Sequence, residues 1–151
     1  MLELVVCLGM ANTKPFVSLA CVCEKALQEA DKVLSLIRVV DTYYVPPTPP
    51  GLPPDIKPAV DVTVVVTLKS GDVVGSYEIG LALRPPIGAP APEPKKWPIV
   101  FKGAEQGANA IVKFPVSTDV LGLYWFDVLW KGEVLTSIPF KLVAAPTPSV
   151  H

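Results

Sequence analysis

Proline is the feature that most limits how this chain can fold. The sequence contains 18 prolines among 151 residues, about 12% where roughly 5% is usual. Proline lacks a backbone N–H and breaks helix interiors, so a chain this rich in proline and in apolar residues is not a helical bundle. Many of the prolines fall in two stretches, "PPTPPGLPPDIKP" (46–58) and "RPPIGAPAPEPKKWP" (84–98). We therefore expect short β-strands joined by proline-bearing loops.

The segments between these loops alternate apolar and polar residues with a period of two, which is typical of half-buried strands. In residues 60–68, for example, valines and a leucine share one face while Asp61, Thr63 and Thr67 occupy the other. Roughly eight such strands, with glycine and proline turns and without strand–helix–strand alternation, predict an all-β fold, an antiparallel immunoglobulin-like β-sandwich of about seven to nine strands. We expect successive pairs of strands over 16–45, 59–86, 97–116 and 122–143.

Two segments leave alternatives open. A helical turn near residues 24–29 is the alternative to a strand in the first hairpin, because "CEKALQEA" contains good helix formers. The second arm, residues 33–45, is apolar on both faces, which predicts either a central strand covered on both sides or a strand at a subunit contact. The stretch 46–58 is either a polyproline ligand for an aromatic groove or, as we favour, a stiff connection between sheets. Pro139 predicts a sheet edge or an outward-facing position, since proline cannot donate to a ladder.

The length predicts one domain. We divide the chain into an N-terminal extension or edge strand (1–15), a sandwich (16–143) and a flexible tail (144–151). The apolar N-terminal run lacks the basic residues and cleavage pattern of a signal peptide, and no run approaches the roughly 20 apolar residues that span a bilayer. Met10 opens a second possible start, so residues 1–9 are either an edge strand or not part of the native protein.

The cysteines predict a cytoplasmic location. The chain has three cysteines, Cys7, Cys21 and Cys23, and the sequence shows no export signal. An odd number of cysteines without such a signal favours free thiols in a reducing compartment. The "CVC" pair has no third metal ligand nearby, so we interpret these two residues as small buried apolar side chains.

The composition argues against several classes of function. The net charge is −1, which provides no basic footprint for nucleic acid. The single histidine is the terminal His151, so a serine or cysteine nucleophile has no histidine base within the chain, and no spacing of ligands fits zinc. The turn "KSGD" joins two strands and does not open a helix, unlike a phosphate loop. We expect no enzyme, no catalytic residue, no metal and no cofactor.

The last hairpin predicts an interaction surface. An antiparallel sandwich normally keeps one face of each sheet polar, yet Leu123, Trp125 and Leu129 lie opposite an equally apolar set of core residues. We predict that these three residues, with Tyr43, form an interface with a second copy or with another protein. The alternative is that the loop 46–58 folds over this outer face.

A second hypothesis is a protein that binds a small ligand or nucleotide without transforming it. Arginine and aromatic side chains suit phosphates and rings, and the candidate contacts are Arg38, Arg84, Lys95, Lys96 and Trp97. A structural interpretation of Arg38 competes with this one, in which it pairs with Glu24 across the first hairpin.

Three segments carry a family resemblance: "LACVCEKALQEADKVLSLIRVVD" (19–41), "LKSGDVVGSYEIGL" (68–81) and "GLYWFDVLWKGEVLTSIPFKLV" (122–143). Together they resemble small, uncharacterised bacterial proteins with an immunoglobulin-like sandwich, a family defined as a domain of unknown function. The resemblance implies a cytosolic bacterial sandwich and supplies no activity or catalytic residue. Such proteins have a glycine in the first turn, where this chain has Asp31 and Lys32, and residues 1–9 fall outside the resemblance.

Overall fold

The computed structural model describes residues 14–103 and 107–146, and these residues form nine strands and no helix. The strands are β1 (Phe16–Gln28), β2 (Leu34–Val39), β3 (Thr42–Val45), β4 (Ala59–Lys69), β5 (Val74–Arg84), β6 (Lys95–Lys102), β7 (Gly107–Ser117), β8 (Gly122–Trp130) and β9 (Glu133–Ala144). They form a four-stranded sheet, β2-β1-β4-β7, and a five-stranded sheet, β3-β9-β8-β5-β6. All pairs are antiparallel except β3 with β9. The predicted all-β class and the packing of two sheets are confirmed.

Several predictions fall partly outside these residues. Residues 1–13 of the expected extension, with Cys7 and the question of residues 1–9, are not among those described, nor are residues 147–151 of the expected tail. The division into extension, sandwich and tail therefore stays a prediction. The strands themselves begin at Phe16 and end at Ala144.

The first and last predicted hairpins are confirmed, since β1 pairs with β2 and β8 pairs with β9. β1 continues through Gln28, so the helical turn considered near residues 24–29 is wrong. In the first turn Lys32 takes a left-handed φ of 68°, the conformation for which glycine is usually chosen. The Asp31 carboxylate accepts a hydrogen bond from the Val33 N–H in the same turn.

The two middle pairs of strands are not hairpins, and that prediction is wrong. β4 pairs with β1 and β7, whereas β5 pairs with β6 and β8, so the β4–β5 and β6–β7 connections each cross from one sheet to the other. β4 and β5 therefore face each other across the core, and the inward valines and leucine of β4 are buried against the apolar side chains of the opposite sheet. In a hairpin, β4 and β5 would be neighbours in one sheet. Period-two alternation is the same in either arrangement, which is why the sequence does not distinguish them.

The core lies between the two inward faces. β4 contributes a row of fully buried side chains that begins at Val62 and ends at Leu68. β8 and β9 oppose it with aromatic rings, and Phe126 and Phe140 stack with their centroids 5.1 Å apart. Phe114 of β7 meets Phe126 edge to face at 5.3 Å. These rings join the two sheets into one core.

The second arm of the first hairpin is divided between the two sheets. β2 lies at the edge of the four-stranded sheet and β3 at the edge of the five-stranded sheet, so the prediction of a central strand is wrong. The break follows Val39, the residue after Arg38, whose φ of 52° is left-handed. The chain then crosses to the other sheet, where the Asp41 carbonyl accepts a hydrogen bond from the Lys141 N–H at 2.8 Å.

The stretch 46–58 connects β3 in one sheet to β4 in the other, as the stiff-connection interpretation predicted. Pro139 lies on β9 opposite Trp125. On its other side β3 covers only residues 141–144 of β9. The Lys141 N–H points to the β3 side of β9. Backbone directions repeat every two residues, so the Pro139 nitrogen, which carries no hydrogen, points to the same side. No strand of the described residues lies beside Pro139 there.

Replacing Phe126 by alanine should lower the free energy of unfolding by about 3–5 kcal/mol, because the substitution removes a fully buried ring at the centre of the core. Chemical denaturation followed by tryptophan fluorescence measures the change. Ile87→Ala, in a fully exposed loop position, is the control and should change stability by no more than about 0.5 kcal/mol. Equal losses in the two variants would contradict this assignment of the core.

Candidate interaction surface

The outward side of the five-stranded sheet carries the residues that the sequence singles out. On β8, Tyr124, Phe126 and Val128 are buried, so the residues between them point away from the core. Residues directly opposite on neighbouring strands share a face, and the register places Arg84 beside Trp125. We call this surface the Trp125 face. It consists of Leu123, Trp125, Asp127 and Leu129 of β8, Gly80, Ala82 and Arg84 of β5, Lys96 of β6, and Val134, Ser137, Pro139 and Lys141 of β9.

The two largest side chains of the Trp125 face have different neighbours. Leu129 lies opposite Gly80, where an added β-carbon would be 3.4 Å from the Leu129 Cβ. Trp125 lies between Pro139 on one side and Arg84 on the other. Both Leu129 and Trp125 keep part of their area accessible.

Asp127 fixes an arginine on this surface. The Arg84 guanidinium donates from Nε to Asp127 Oδ2 and from Nη2 to Oδ1, both at 3.0 Å. The Ser137 hydroxyl donates to Oδ1 at 2.6 Å. The Arg84 Cζ lies 5.4 Å from the centre of the Trp125 ring. A bidentate charge-assisted pair is geometrically specific, so Arg84 is held over the indole.

The same contacts set the charge state of Asp127, whose side chain is 13% exposed. The hydrogen bonds from Arg84 lower the pKa of Asp127, burial opposes them, and the hydroxyl of Ser137 lowers the pKa further. The hydrogen bond to Asp127 raises the pKa of Arg84. The two residues therefore form an ion pair with no net charge at the centre of the apolar surface.

Three of the four predicted interface residues point outward. Leu123 is 41% exposed, and Trp125 and Leu129 are half-buried. Tyr43 lies on the inner side, and its predicted placement on the outer face is wrong. It is opposite the buried Leu142 and contacts the Phe140 ring edge to face. The break after Arg38 shifts the alternation before β3 begins.

The loop 46–58 does not cover the Trp125 face. The start of the loop lies beside Leu121 at one end of the sandwich, and the Pro58 carbonyl at its other end accepts a hydrogen bond from the Thr118 N–H. Leu52 and Ile56, the apolar residues that a covering loop would bury, are exposed. This alternative is therefore wrong.

The structure does not bring the five predicted ligand contacts together. Arg38 pairs with Glu24 at 3.2 Å, as the structural interpretation predicted, on the four-stranded sheet. Arg84 belongs to the Trp125 face. The other three lie on β6, where Lys96 is opposite Gly80 at the margin of that face.

The β6 residues also have contacts within the protein. Lys95 Nζ donates to the Lys113 carbonyl at 2.6 Å, and Lys96 Nζ lies 3.9 Å from a Glu78 carboxylate oxygen. Trp97 is opposite the buried Ile79 and packs against the core. These three side chains therefore form no shared pocket.

One end of the sandwich contains a cleft that sequence reasoning missed. Its volume is about 260 Å³, its walls include Leu83, Pro90 and Tyr124, and Lys57 and Asp119 contribute charged groups. The lining residues come from three separate connections and from the ends of β5, β7 and β8. Both proline-rich stretches contribute to it, but nothing in their spacing indicates that they meet.

The described residues offer little for metal or thiol chemistry. Cys21 and Cys23 are free thiols, and burial raises the pKa of both. Among residues 14–103 and 107–146 no group of three or more histidine, cysteine, aspartate or glutamate side chains is arranged to hold a metal ion. This part of the chain also contains no helix that is long and apolar enough to cross a membrane.

Comparison of the sequence with protein-family models and with curated proteins finds no match.

The Asp127 carboxylate should make stability depend on pH in a way that Asp127→Asn removes. Its pKa is lower in the folded protein than the ordinary value of 3.8, so its contribution is complete above that value and is lost as the pH falls through the folded pKa. At pH 7 the asparagine variant should be less stable by about 1–2 kcal/mol.

The measurement is chemical denaturation of both proteins between pH 7 and pH 3. The difference between them should narrow below about pH 4, where Asp127 of the unfolded chain begins to take up a proton while Asp127 of the folded protein is still ionised. Asp61→Asn, at an exposed aspartate of β4, is the matched control. A difference that stays constant down to pH 3 would show that the ion pair does not stabilise the fold.

Proposed function

We propose that this protein is a non-catalytic, cytoplasmic, immunoglobulin-like sandwich that acts through protein–protein contact, with the Trp125 face as the contact surface and a second copy as its first partner. The observation that carries the proposal is the partly exposed Trp125 with Arg84 held over it by Asp127. Tryptophan and arginine are the residues most enriched among those that dominate the energy of protein interfaces.

The order already present in the unbound surface supports this function. Binding normally costs the conformational freedom of long side chains at the interface, and Arg84 has already given up part of that freedom to Asp127 and Trp125. Charged residues are depleted at the centre of interfaces, and here the central charges neutralise each other. The surface therefore suits a partner with a flat apolar face better than a charged ligand.

The strand arrangement supports the immunoglobulin-like part of the proposal. β1, β4 and β7 lie in one sheet and β9, β8, β5 and β6 in the other, with a short strand, β3, added parallel to the last strand. The Tyr124 hydroxyl near the start of β8 donates to the Val120 carbonyl, as does the tyrosine that fixes the corresponding corner in immunoglobulin-like sandwiches. Membership of the uncharacterised bacterial family remains part of this proposal, and the free thiols Cys21 and Cys23 support the cytoplasmic location.

Small-ligand binding is the alternative function. The observation in its favour is the cleft beside Tyr124, where apolar walls accompany Lys57 and Asp119, as in many small-molecule sites. The contacts would then differ from the five that the sequence suggests. A wild-type protein that is monomeric at all concentrations would turn attention to this cleft.

Trp125→Ala should weaken self-association. Truncating an aromatic residue at the centre of an interface typically costs about 2 kcal/mol or more, which raises a dissociation constant by about 30-fold. Light scattering after size exclusion, over a range of protein concentrations, measures the masses of the wild type and the variant. We expect the wild type to exceed the mass of one chain and the variant to dissociate at higher concentrations than the wild type.

Phe16→Ala is the matched control, since Phe16 is an exposed aromatic residue on the outer side of the other sheet. It should leave the mass unchanged. A wild type and a Trp125→Ala variant with the same concentration dependence would rule out the Trp125 face as a self-association surface. If the wild type is monomeric but binds another protein through Trp125, the Trp125 face is still the contact surface and the partner is that protein rather than a second copy.

A further inference from the structure

The sheet edges differ in how they are protected against pairing with another strand. Among the described residues, β2 and β7 end one sheet and β3 and β6 end the other. Proteins protect such edges with prolines, lysines and short strands. β6 contains Pro98 between Lys96 and Lys102, β7 contains Pro115 and Lys113, and β3 has four residues. β2 has no proline and no lysine.

β2 is also apolar on both sides. Val33, just before it, is 58% exposed and Ile37 is 43% exposed, and these two residues share a face with Ser35. Leu34 and Leu36 share the other face and are half-buried. Residues 33–37 therefore form a segment without charge at a sheet edge, which we call the β2 edge.

The backbone of the β2 edge has hydrogen-bonding groups that point away from β1. The Glu29 N–H donates to the Val33 carbonyl at 2.8 Å, so Val33 faces β1 as one of a hydrogen-bonded pair. Such pairs alternate along an antiparallel ladder, and the register continues to Leu27 with Ser35 and to Lys25 with Ile37. Leu34 and Leu36 therefore direct their N–H and C=O groups outward, where no strand of the described chain lies.

We propose that the β2 edge pairs with the β2 edge of a second copy, antiparallel about a two-fold axis with Ser35 opposite Ser35. Leu34 then exchanges main-chain hydrogen bonds with Leu36 of the second copy. By the two-fold symmetry, Leu36 does the same with Leu34 of the second copy. Val33 faces Ile37 of the second copy. The contact joins two four-stranded sheets edge to edge.

The absence of charge in residues 33–37 favours a second copy as the partner, because self-pairing brings no like charges together within the segment itself. The Glu29 carboxylate beside it accepts a hydrogen bond from the Ser35 hydroxyl at 2.9 Å within each copy. Just beyond it, Lys32 would face Arg38 of the second copy. Arg38 is already paired with Glu24, which limits the repulsion there. The left-handed Arg38 lies one residue before the end of β2, which keeps the pairing short. This edge is separate from the Trp125 face, and the inference does not rest on the proposed function.

A cysteine at position 35 tests the register. Residues opposite each other in a non-hydrogen-bonded pair have Cα atoms about 4.5 Å apart, within the range that a disulfide spans. Ser35→Cys should therefore form a covalent dimer in oxidising buffer, seen on a non-reducing gel. Ile37→Cys is the matched control, because that side chain is more exposed but faces Val33 of the second copy and not itself. Wild type controls for the native cysteines.

Equal cross-linking of the two variants would mean random collision and would overturn the proposal. So would a Ser35→Cys protein that cross-links no more than the wild type. Leu36→Lys gives an independent test, since it places a lysine from each copy at the contact. The main-chain groups of residue 36 point away from β1, so the substitution breaks no main-chain hydrogen bond to β1. It should raise the dissociation constant of the dimer at least about tenfold, and an unchanged mass would count against the pairing.

The double variant Ser35→Cys with Trp125→Ala separates this inference from the proposed function. Cross-linking that persists in the double variant would place the contact at the β2 edge whatever happens at the Trp125 face. A mass that falls with Trp125→Ala, together with no Ser35→Cys cross-link, would leave the proposed function standing and overturn the β2 contact.

Discussion

The aromatic contacts of β8 in the core determine which of its residues face outward. Tyr124 and Phe126 of β8 both stack on Phe140 of β9, with ring centroids 5.3 and 5.1 Å apart, and Phe126 also meets Phe114 of the opposite sheet. Because a strand alternates with a period of two, burying these rings forces Trp125 and Asp127 to the outside. A slip of one residue would exchange the core and the Trp125 face. The outer surface is therefore specified by the core behind it.

A tryptophan on the outside of a sheet leaves apolar area in contact with water, and this protein reduces that cost locally. The Arg84 guanidinium covers part of the indole, and Asp127 holds the guanidinium in place. The arrangement shields Trp125 when the face is free without adding net charge to it. A partner could use the ring and the guanidinium together as one rigid element, which is why the ion pair is more informative about function than the apolar residues alone.

Sequence reasoning was accurate where the physics is local. Alternation identified the strands and the inward and outward residues of β8, and Glu24 was recognised as a partner for Arg38. It was inaccurate where a choice depends on distant parts of the chain. The β4–β5 and β6–β7 connections cross between the sheets, and that depends on which strands pack against each other across the core. The position of Tyr43 depends on a break in the chain near Arg38, a non-glycine residue with a left-handed φ. The cleft beside Tyr124 is assembled from three connections, and no local pattern reports their meeting.

The prolines do more than exclude helices, because several of them also lie within the strands. Pro98, Pro115 and Pro139 lie within strands, and each lies on a strand that has an open side for part or all of its length. A proline there costs the protein no hydrogen bond of its own and denies one to an incoming strand. The same residue type that sets the loops thus lies on two of the four edge strands, β6 and β7. The other two edge strands contain no proline, and of these β3 has only four residues whereas β2 has six. Its uncharged, two-sided apolar segment is what a paired strand needs and what an unpaired edge should avoid.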